Sequence, residues 1–223
     1  MDGDADLASP ARLMGEPARA AMLVALLDGR ALPAGELAAI ARVSAPTASA
    51  HLARLVEGGL VRARALGRHR YFELAGADVA DAIESLQRLA PRRPVTSYGQ
   101  SATARRLAEA RTCYDHLAGR IALGIADALV AEEAITPLEA GGSGMILATD
   151  GPVARRLRLE AAPAPGRRPP VRGCLDWTER RPHLAGALGA HVLEVLLSAG
   201  WVARVPGDRS LRVSDELRVA FES

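Results

Sequence analysis

Residues Leu37 to Leu74 read LAAIARVSAPTASAHLARLVEGGLVRARALGRHRYFEL. In Gly35–Ala41 the spacing of Leu37 and Ile40 predicts a short helix with both side chains turned inward. Val43 and Ser44 form the turn that follows. Ser44 is placed to N-cap the next helix, and Pro46 sits in its first turn, where a missing N–H is tolerated. That helix is expected to run to about Glu57 and to bury Ala48, Leu52, Leu55 and Val56. Gly58-Gly59 ends it, because glycine accepts the left-handed C-cap geometry. Leu60 to Arg64 alternates apolar and basic residues, Leu66-Gly67 turns, and Arg68 to Leu74 alternates back as a second strand. Upstream, Pro17 to Leu27 carries apolar residues at helical spacing, with Asp28-Gly29 as its stop.

Helix, turn, helix and basic hairpin, in that order, make a winged helix-turn-helix, which places its second helix in the DNA major groove. The charge distribution agrees. Arg42 to Arg70 holds six arginines (42, 54, 62, 64, 68 and 70) against Glu57, a balance of +5, whereas Met1 to Ala41 holds three arginines against six acids. Such polarity matters more than the net charge of +2 when the partner is a polyanion. The expected partner is double-stranded DNA. Ser44, Thr47, Ser49, Ala50, His51 and Arg54 are the contact candidates on the helix, and Arg64, Arg68 and Arg70 on the hairpin. Thr47 and Ala50 suit thymine methyl groups, and Arg54 suits a phosphate. The helix offers no Asn or Gln for a bidentate contact with adenine. Arg68 and Arg70 suit a narrow minor groove or phosphates. Two bland alternatives stand beside this: His51 as a capping or packing residue, and the hairpin as a merely solvated basic ribbon.

The run Ser44…Ser49-Ala50-His51-Leu52…Leu55…Gly59-Leu60-Val61…Gly67-Arg68…Tyr71-Phe72-Glu73-Leu74 resembles the signature of the ArsR/SmtB family of bacterial transcriptional repressors. The likeness covers about the first ninety residues. It implies a homodimer whose two recognition helices read a palindrome, and a signal, often a metal ion, that releases the protein from DNA. The family's familiar sensing sites are missing. No cysteine lies in the helix before the recognition helix, and the helix expected at Ala77–Leu89 has no histidine.

At 223 residues the chain has room for two domains. We expect a winged helix-turn-helix over residues 1–92 and a C-terminal dimerisation or effector-sensing domain over 93–223, with the linker near Pro91–Pro94 (PRRP). The fold class is mainly α with small β wings (α+β). No apolar run suits a membrane span, the acidic start is not a signal peptide, and two cysteines give no disulfide framework. A cytoplasmic protein without a membrane partner is expected. All 28 basic residues are Arg, which we read first as codon bias and second as a preference for phosphate forks.

In the second half, Ser101 to Glu133 reads as one long helix, with Leu107, Tyr114, Ile121 and Ala128 at seven-residue spacing. Ala140–Ser143 and the Pro-rich Ala162–Gly173 read as loops. The order helix (His183–Leu197), strand (Gly200–Arg204), turn, strand (Leu211–Val213) and helix (Asp215–Phe221, capped by Ser214) suggests a second, degenerate winged-helix-like unit.

Two cysteine-centred clusters are sensor candidates. Cys113, Asp115 and His116 lie on the expected long helix; Cys174, Asp176, Trp177 and His183 lie beyond the loop. If the segments meet, Cys113, His116 and Cys174 offer three ligands to zinc or a softer thiophilic ion, with Asp115, Asp176 or His183 as the fourth. The cofactor is otherwise unknown. A reversible disulfide, or a pocket for an organic anion lined by Trp177, Tyr114 and arginines, are the other sensing options. Purely structural cysteines are the bland alternative. An enzyme is not expected, because Cys113, Asp115 and His116 on one helix cannot align as a triad. The rival readings are a protein-interaction module or a Cys/His-dependent enzyme in the C-terminal half.

Overall fold

In the computed structural model, which describes residues 4–67, 69–91, 98–163 and 168–221, the chain divides into two units, Met1–Leu86 and Gln87–Ser223. The first unit opens with α1 (Ala8–Met14) and α2 (Pro17–Leu26). Glu16 N-caps α2, its carboxylate accepting from the backbone N–H of Ala18 and Arg19 at 3.1 and 2.8 Å. After β1 (Leu32–Pro33) comes α3 (Ala34–Ala41), which ends at Arg42 in the left-handed conformation (φ 55°). The second helix of the helix-turn-helix, α4 (Ala45–Glu57), has Ser44 at its N-cap, with the Thr47 N–H donating to Ser44 Oγ at 3.4 Å. The hairpin β2 (Val61–Leu66) and β3 (His69–Leu74) follows, then α5 (Ala77–Leu89).

The predicted helix-turn-helix and hairpin are therefore in place. Among the described residues, β1 adds a third strand (order β1-β3-β2, with Leu32 opposite Phe72), and α1 adds a helix the sequence reading did not anticipate. Met22, Leu23 and Leu26 of α2, Leu37 of α3, and Leu52 and Leu55 of α4 are all buried and hold the three helices together. Ile40 and Val56 are half-buried rather than buried. Arg68, and residues 92–94 of the expected linker, lie outside the described residues.

The second unit contains α6 (Tyr98–Glu109), the hairpin β4 (Arg111–Cys113) and β5 (His116–Ala118), then α7 (Arg120–Ala131), β6 (Ser143–Gly144) and α8 (Pro152–Arg156). A second hairpin, β7 (Val171–Leu175) and β8 (Pro182–Ala185), leads into α9 (Gly186–Ser198), the pair β9 (Val202–Arg204) and β10 (Leu211–Val213), and α10 (Asp215–Phe221). Ile121, Ile125 and Leu129 of α7 pack with Leu188, Val192 and Leu196 of α9 and with Leu217 and Phe221 of α10. α7 is apolar on nearly all sides because it is surrounded.

The long helix expected at Ser101–Glu133 is two helices separated by a tight hairpin. Gly119 opens the second helix and packs against the end of the first. Its φ of +97° is foreign to a helix, and a Cβ there would stand 2.7 Å from the Glu109 carbonyl oxygen. The seven-residue repeat was a coincidence of three elements, so Cys113 and His116 do not share a helix face. Val171–Gly173, expected as loop, is strand, and Ser143 begins β6. His183 lies in β8, and the following helix starts only at Gly186. The closing order of helix, strand, strand and helix is present, with Leu217 N–H donating to Ser214 Oγ at 3.2 Å. α9 follows β8 directly, so among the described residues no helix and turn immediately precede it. No helix among the described residues is long and apolar enough to cross a membrane.

Candidate nucleic-acid interface and a buried cysteine-histidine cluster

α4 buries Ala48, Leu52 and Leu55 and turns Ser44, Thr47, Ser49, Ala50 and Arg54 to solvent. The Ser44 and Thr47 hydroxyls are 2.8 Å apart, so Thr47 is oriented by the cap. His51 differs from its neighbours. It is half-buried, and its Nδ1 lies 3.5 Å from both Arg19 Nη1 and Glu16 Oε2, which ties α4 to the start of α2. Beyond Val61 the hairpin is exposed along β2, Leu66 included, and along the first half of β3. Arg64 Nε rests 2.8 Å from Glu73 Oε1. Arg70 projects over the Phe72 ring, with its guanidinium 5.6 Å from the centroid.

In the second unit, four side chains from the two hairpins converge. Cys113 pairs across β4–β5 with His116, and Cys174 pairs across β7–β8 with His183. All four are buried, and one donor atom from each lies within 4.8 Å of the others. The two Sγ atoms are 3.9 Å apart, well beyond a disulfide bond of about 2.05 Å, and the two histidine Nε2 atoms are 3.2 Å apart. Ala118 and Ala185 complete an apolar wall around the sulfurs. Such a donor set is chemically able to hold a metal ion.

The remaining effector candidates stand behind these four. Asp115 lies at the hairpin turn with Oδ1 3.2 Å from His116 Nδ1, and it is gripped by Arg168, whose Nη2 donates at 2.9 Å. Asp176 Oδ2 lies 3.7 Å from His183 Nδ1, accepts from the Gly119 N–H at 2.8 Å, and pairs with Arg111 at 3.0 Å. Trp177 stacks on the Arg111 guanidinium, whose Cζ lies 4.9 Å from the ring centroid. Burial would push the Asp115 carboxyl up, but hydrogen bonds from His116 and Arg168 hold it down at about 2. Asp176 lies below the usual carboxylate range: burial opposes this, and Arg111 and His183 outweigh burial. His116 is raised to about 10, since Cys113 and Asp115 overcome its burial. His183 is driven well below its ordinary value by burial and by the neighbouring His116. A cavity of about 520 Å³ is lined by Ala102, Arg105, Arg106, Glu109, Arg120 and Arg218, away from Trp177 and Tyr114.

Comparison with known proteins places the chain. A family model described as a helix-turn-helix domain matches residues 14–64. The uncharacterized HTH-type transcriptional regulator YdfF of Bacillus subtilis (strain 168) is 38% identical over 221 residues, covering 97% of this chain and 96% of the relative. The chain belongs to the HTH-type transcriptional regulators. Among solved structures, HlyU from Vibrio cholerae N16961 is 33% identical, covering 36% of this chain and 87% of that one, with a TM-score of 0.34. The cadmium metal-sensor CmtR from Mycobacterium tuberculosis is 34% identical over 41% of this chain and 99% of its own, with a TM-score of 0.33. The homodimeric winged helix-turn-helix DNA-binding domain Mb0332 from Mycobacterium bovis is 30% identical over 40% of this chain and 89% of its own, with a TM-score of 0.35.

For this regulator, one signal in the sequence was overlooked. Arg111-Thr112-Cys113…His116-Leu117-Ala118-Gly119 and Arg172-Gly173-Cys174…His183-Leu184-Ala185-Gly186 are two copies of one pattern. In each, the Cys and His are cross-strand partners, and the Gly takes a positive φ (97° and 83°) where the strand turns into α7 or α9. A search for internal repeats at these residues would have revealed both half-sites.

Proposed function

We propose that this regulator binds a palindromic double-stranded DNA operator as a homodimer, represses transcription there, and leaves it when an effector acts on its C-terminal half. The observation that carries the DNA reading is the pairing of a capped helix, exposing Thr47, Ser49, Ala50 and Arg54, with an Arg-bearing hairpin that buries almost nothing of its outer half. A hairpin with so little packing and so many guanidinium groups is suited to phosphates and groove edges. The homodimer is supported by Leu86 and Leu89, one turn apart on α5 and 47% and 84% exposed in the single chain, an apolar ridge that a second copy would cover. Release by an effector is a population shift: the effector favours a dimer whose two recognition helices no longer match the half-site spacing.

The test is selection of binding duplexes from a random pool by the full chain, followed by footprinting and measurement of mass in solution. An inverted repeat with half-site centres about 34–36 Å apart or a multiple of that, bound by a dimer, is the expected result. A single asymmetric half-site bound by a monomer overturns the homodimer, and absence of any enriched sequence overturns sequence-specific binding.

A further inference from the structure

The buried cysteines and histidines satisfy a geometric condition that neither a disulfide nor ordinary core packing requires. In a tetrahedron the distance between two ligand atoms is set by their bond lengths to the centre. With Zn–S about 2.3 Å and Zn–N about 2.0–2.1 Å, the S–S edge comes to about 3.8 Å and the N–N edge to about 3.3 Å. Here the Sγ–Sγ distance is 3.9 Å and the Nε2–Nε2 distance is 3.2 Å, with all four donors inside 4.8 Å. Both edges fit together in one cluster.

The orientation of the imidazoles points the same way. Each turns Nε2 to the centre and Nδ1 toward a carboxylate: Asp115 behind His116 at 3.2 Å, Asp176 behind His183 at 3.7 Å. A carboxylate hydrogen-bonded to Nδ1, as Asp115 is to His116, is the usual outer partner of a metal-bound histidine, because it fixes the tautomer that leaves Nε2 as the ligand. The two Nε2 atoms face one another at 3.2 Å, so a cation placed between them would meet both rings. His183 Nδ1 has no hydrogen-bond partner among the described residues at normal distance, so its ring is not held there by hydrogen bonding alone. Electroneutrality agrees as well. Two thiolates, two neutral imidazoles and a divalent ion sum to zero, and a neutral centre is what a site with every ligand buried among Ala118 and Ala185 tolerates.

We propose that Cys113, His116, Cys174 and His183 bind one divalent cation of the zinc class in a closed tetrahedral site. Each hairpin supplies one cross-strand Cys–His pair, so the ion clamps β4–β5 to β7–β8, which belong to separate sheets. Four protein donors leave no open position, which makes the site a structural clamp rather than a centre for substrate chemistry. The inference concerns the second unit and stands independently of operator binding.

The experiment uses the reduced full chain. Elemental analysis and native mass spectrometry, after titration with zinc and removal of excess, are expected to give one ion per chain; no stoichiometric uptake overturns the proposal. Cobalt(II) is then loaded as a spectroscopic probe. Intense ligand-field bands of tetrahedral cobalt with thiolate-to-metal charge transfer are expected, and the charge-transfer intensity should match two sulfurs. A faint octahedral spectrum, or one without charge transfer, overturns it, as does a Cys113–Cys174 disulfide that persists in the presence of zinc and thiol reductant. Cys174→Ser should abolish the charge-transfer intensity of at least one thiolate. Because that variant can fail to fold, Asp115→Ala is the companion: it leaves all four ligands and is expected to weaken zinc affinity about 10- to 100-fold through the freed His116 ring. Unchanged affinity in Asp115→Ala, with cobalt spectra lacking thiolate character, counts against the site at both levels.

Discussion

At the scale of single residues, the decisive feature of the second unit is the pairing of Arg111 with Asp176, both fully buried. Asp176 collects the guanidinium, the Gly119 N–H, and the Thr178 hydroxyl and N–H, so one carboxylate holds the start of α7, the first strand of one hairpin and the turn of the other. Burying two charges is costly, and the pair is tolerated because nearly every lone pair has a donor. Removing one member leaves the other charge uncompensated. Asp176→Ala is therefore expected to lower stability by about 3–5 kcal/mol, measured by chemical denaturation at a fixed zinc concentration. A loss no greater than that of an exposed ion pair, about 0–1 kcal/mol, would mean that water reaches Arg111. His51 teaches the opposite lesson. On the sequence it is one of a row of candidate contacts; in the fold it leans on Arg19 and Glu16.

Elements decide which of the many arginines can meet DNA. The hairpin β2–β3 keeps its register through Val61 opposite Leu74 and Leu66 opposite His69, and buries residues only at the end nearest the core. Its outer half is a ribbon that carries charge into solvent. Within it Arg64 is partly engaged by Glu73, whereas Arg70 reaches outward over Phe72. Arg70→Ala should therefore weaken operator binding and reduce the slope of log K against log salt by about 0.9, one phosphate contact. Arg64→Ala should move the slope less, since Glu73 already neutralises part of its charge. Equal affinities and slopes for wild type and Arg70→Ala, from titrations across a salt series, would remove the wing from the interface.

For the whole molecule, the question is whether the two units report to different ligands. Each has its own buried core, so the full chain is expected to show two calorimetric transitions. Operator DNA should raise one of them, by about 2.7 kcal/mol of stabilisation when DNA is present at 100 times its dissociation constant. Zinc chelation should lower the other and leave the DNA-sensitive transition in place. A single transition moved by both treatments would show instead that the units unfold as one body, and an effector in the second unit would then reach the DNA-binding unit through shared stability.

The winged helix-turn-helix was legible in the residues alone because its signals are local. Ser44 as cap, Pro46 in the first turn, Gly58-Gly59 as stop and the alternation on either side of Gly67 each act within a few residues, and no distant contact overrode them. The chemistry of the second unit was legible as a list: two cysteines, two histidines and two acids were singled out, with His183 among the proposed fourth ligands. Their arrangement was not legible. The apolar periodicity from Leu107 to Ala128 read as one helix, whereas Gly119, Tyr114 at φ 60° and the pairing of Cys113 with His116 make a hairpin there. Helical and strand periodicities cannot be separated over three-residue strands that are buried on both faces. Only the tertiary structure could bring Cys113 to Cys174 across 61 residues, because such a contact is set by the packing of α7 and α9 around a common core and not by any local preference.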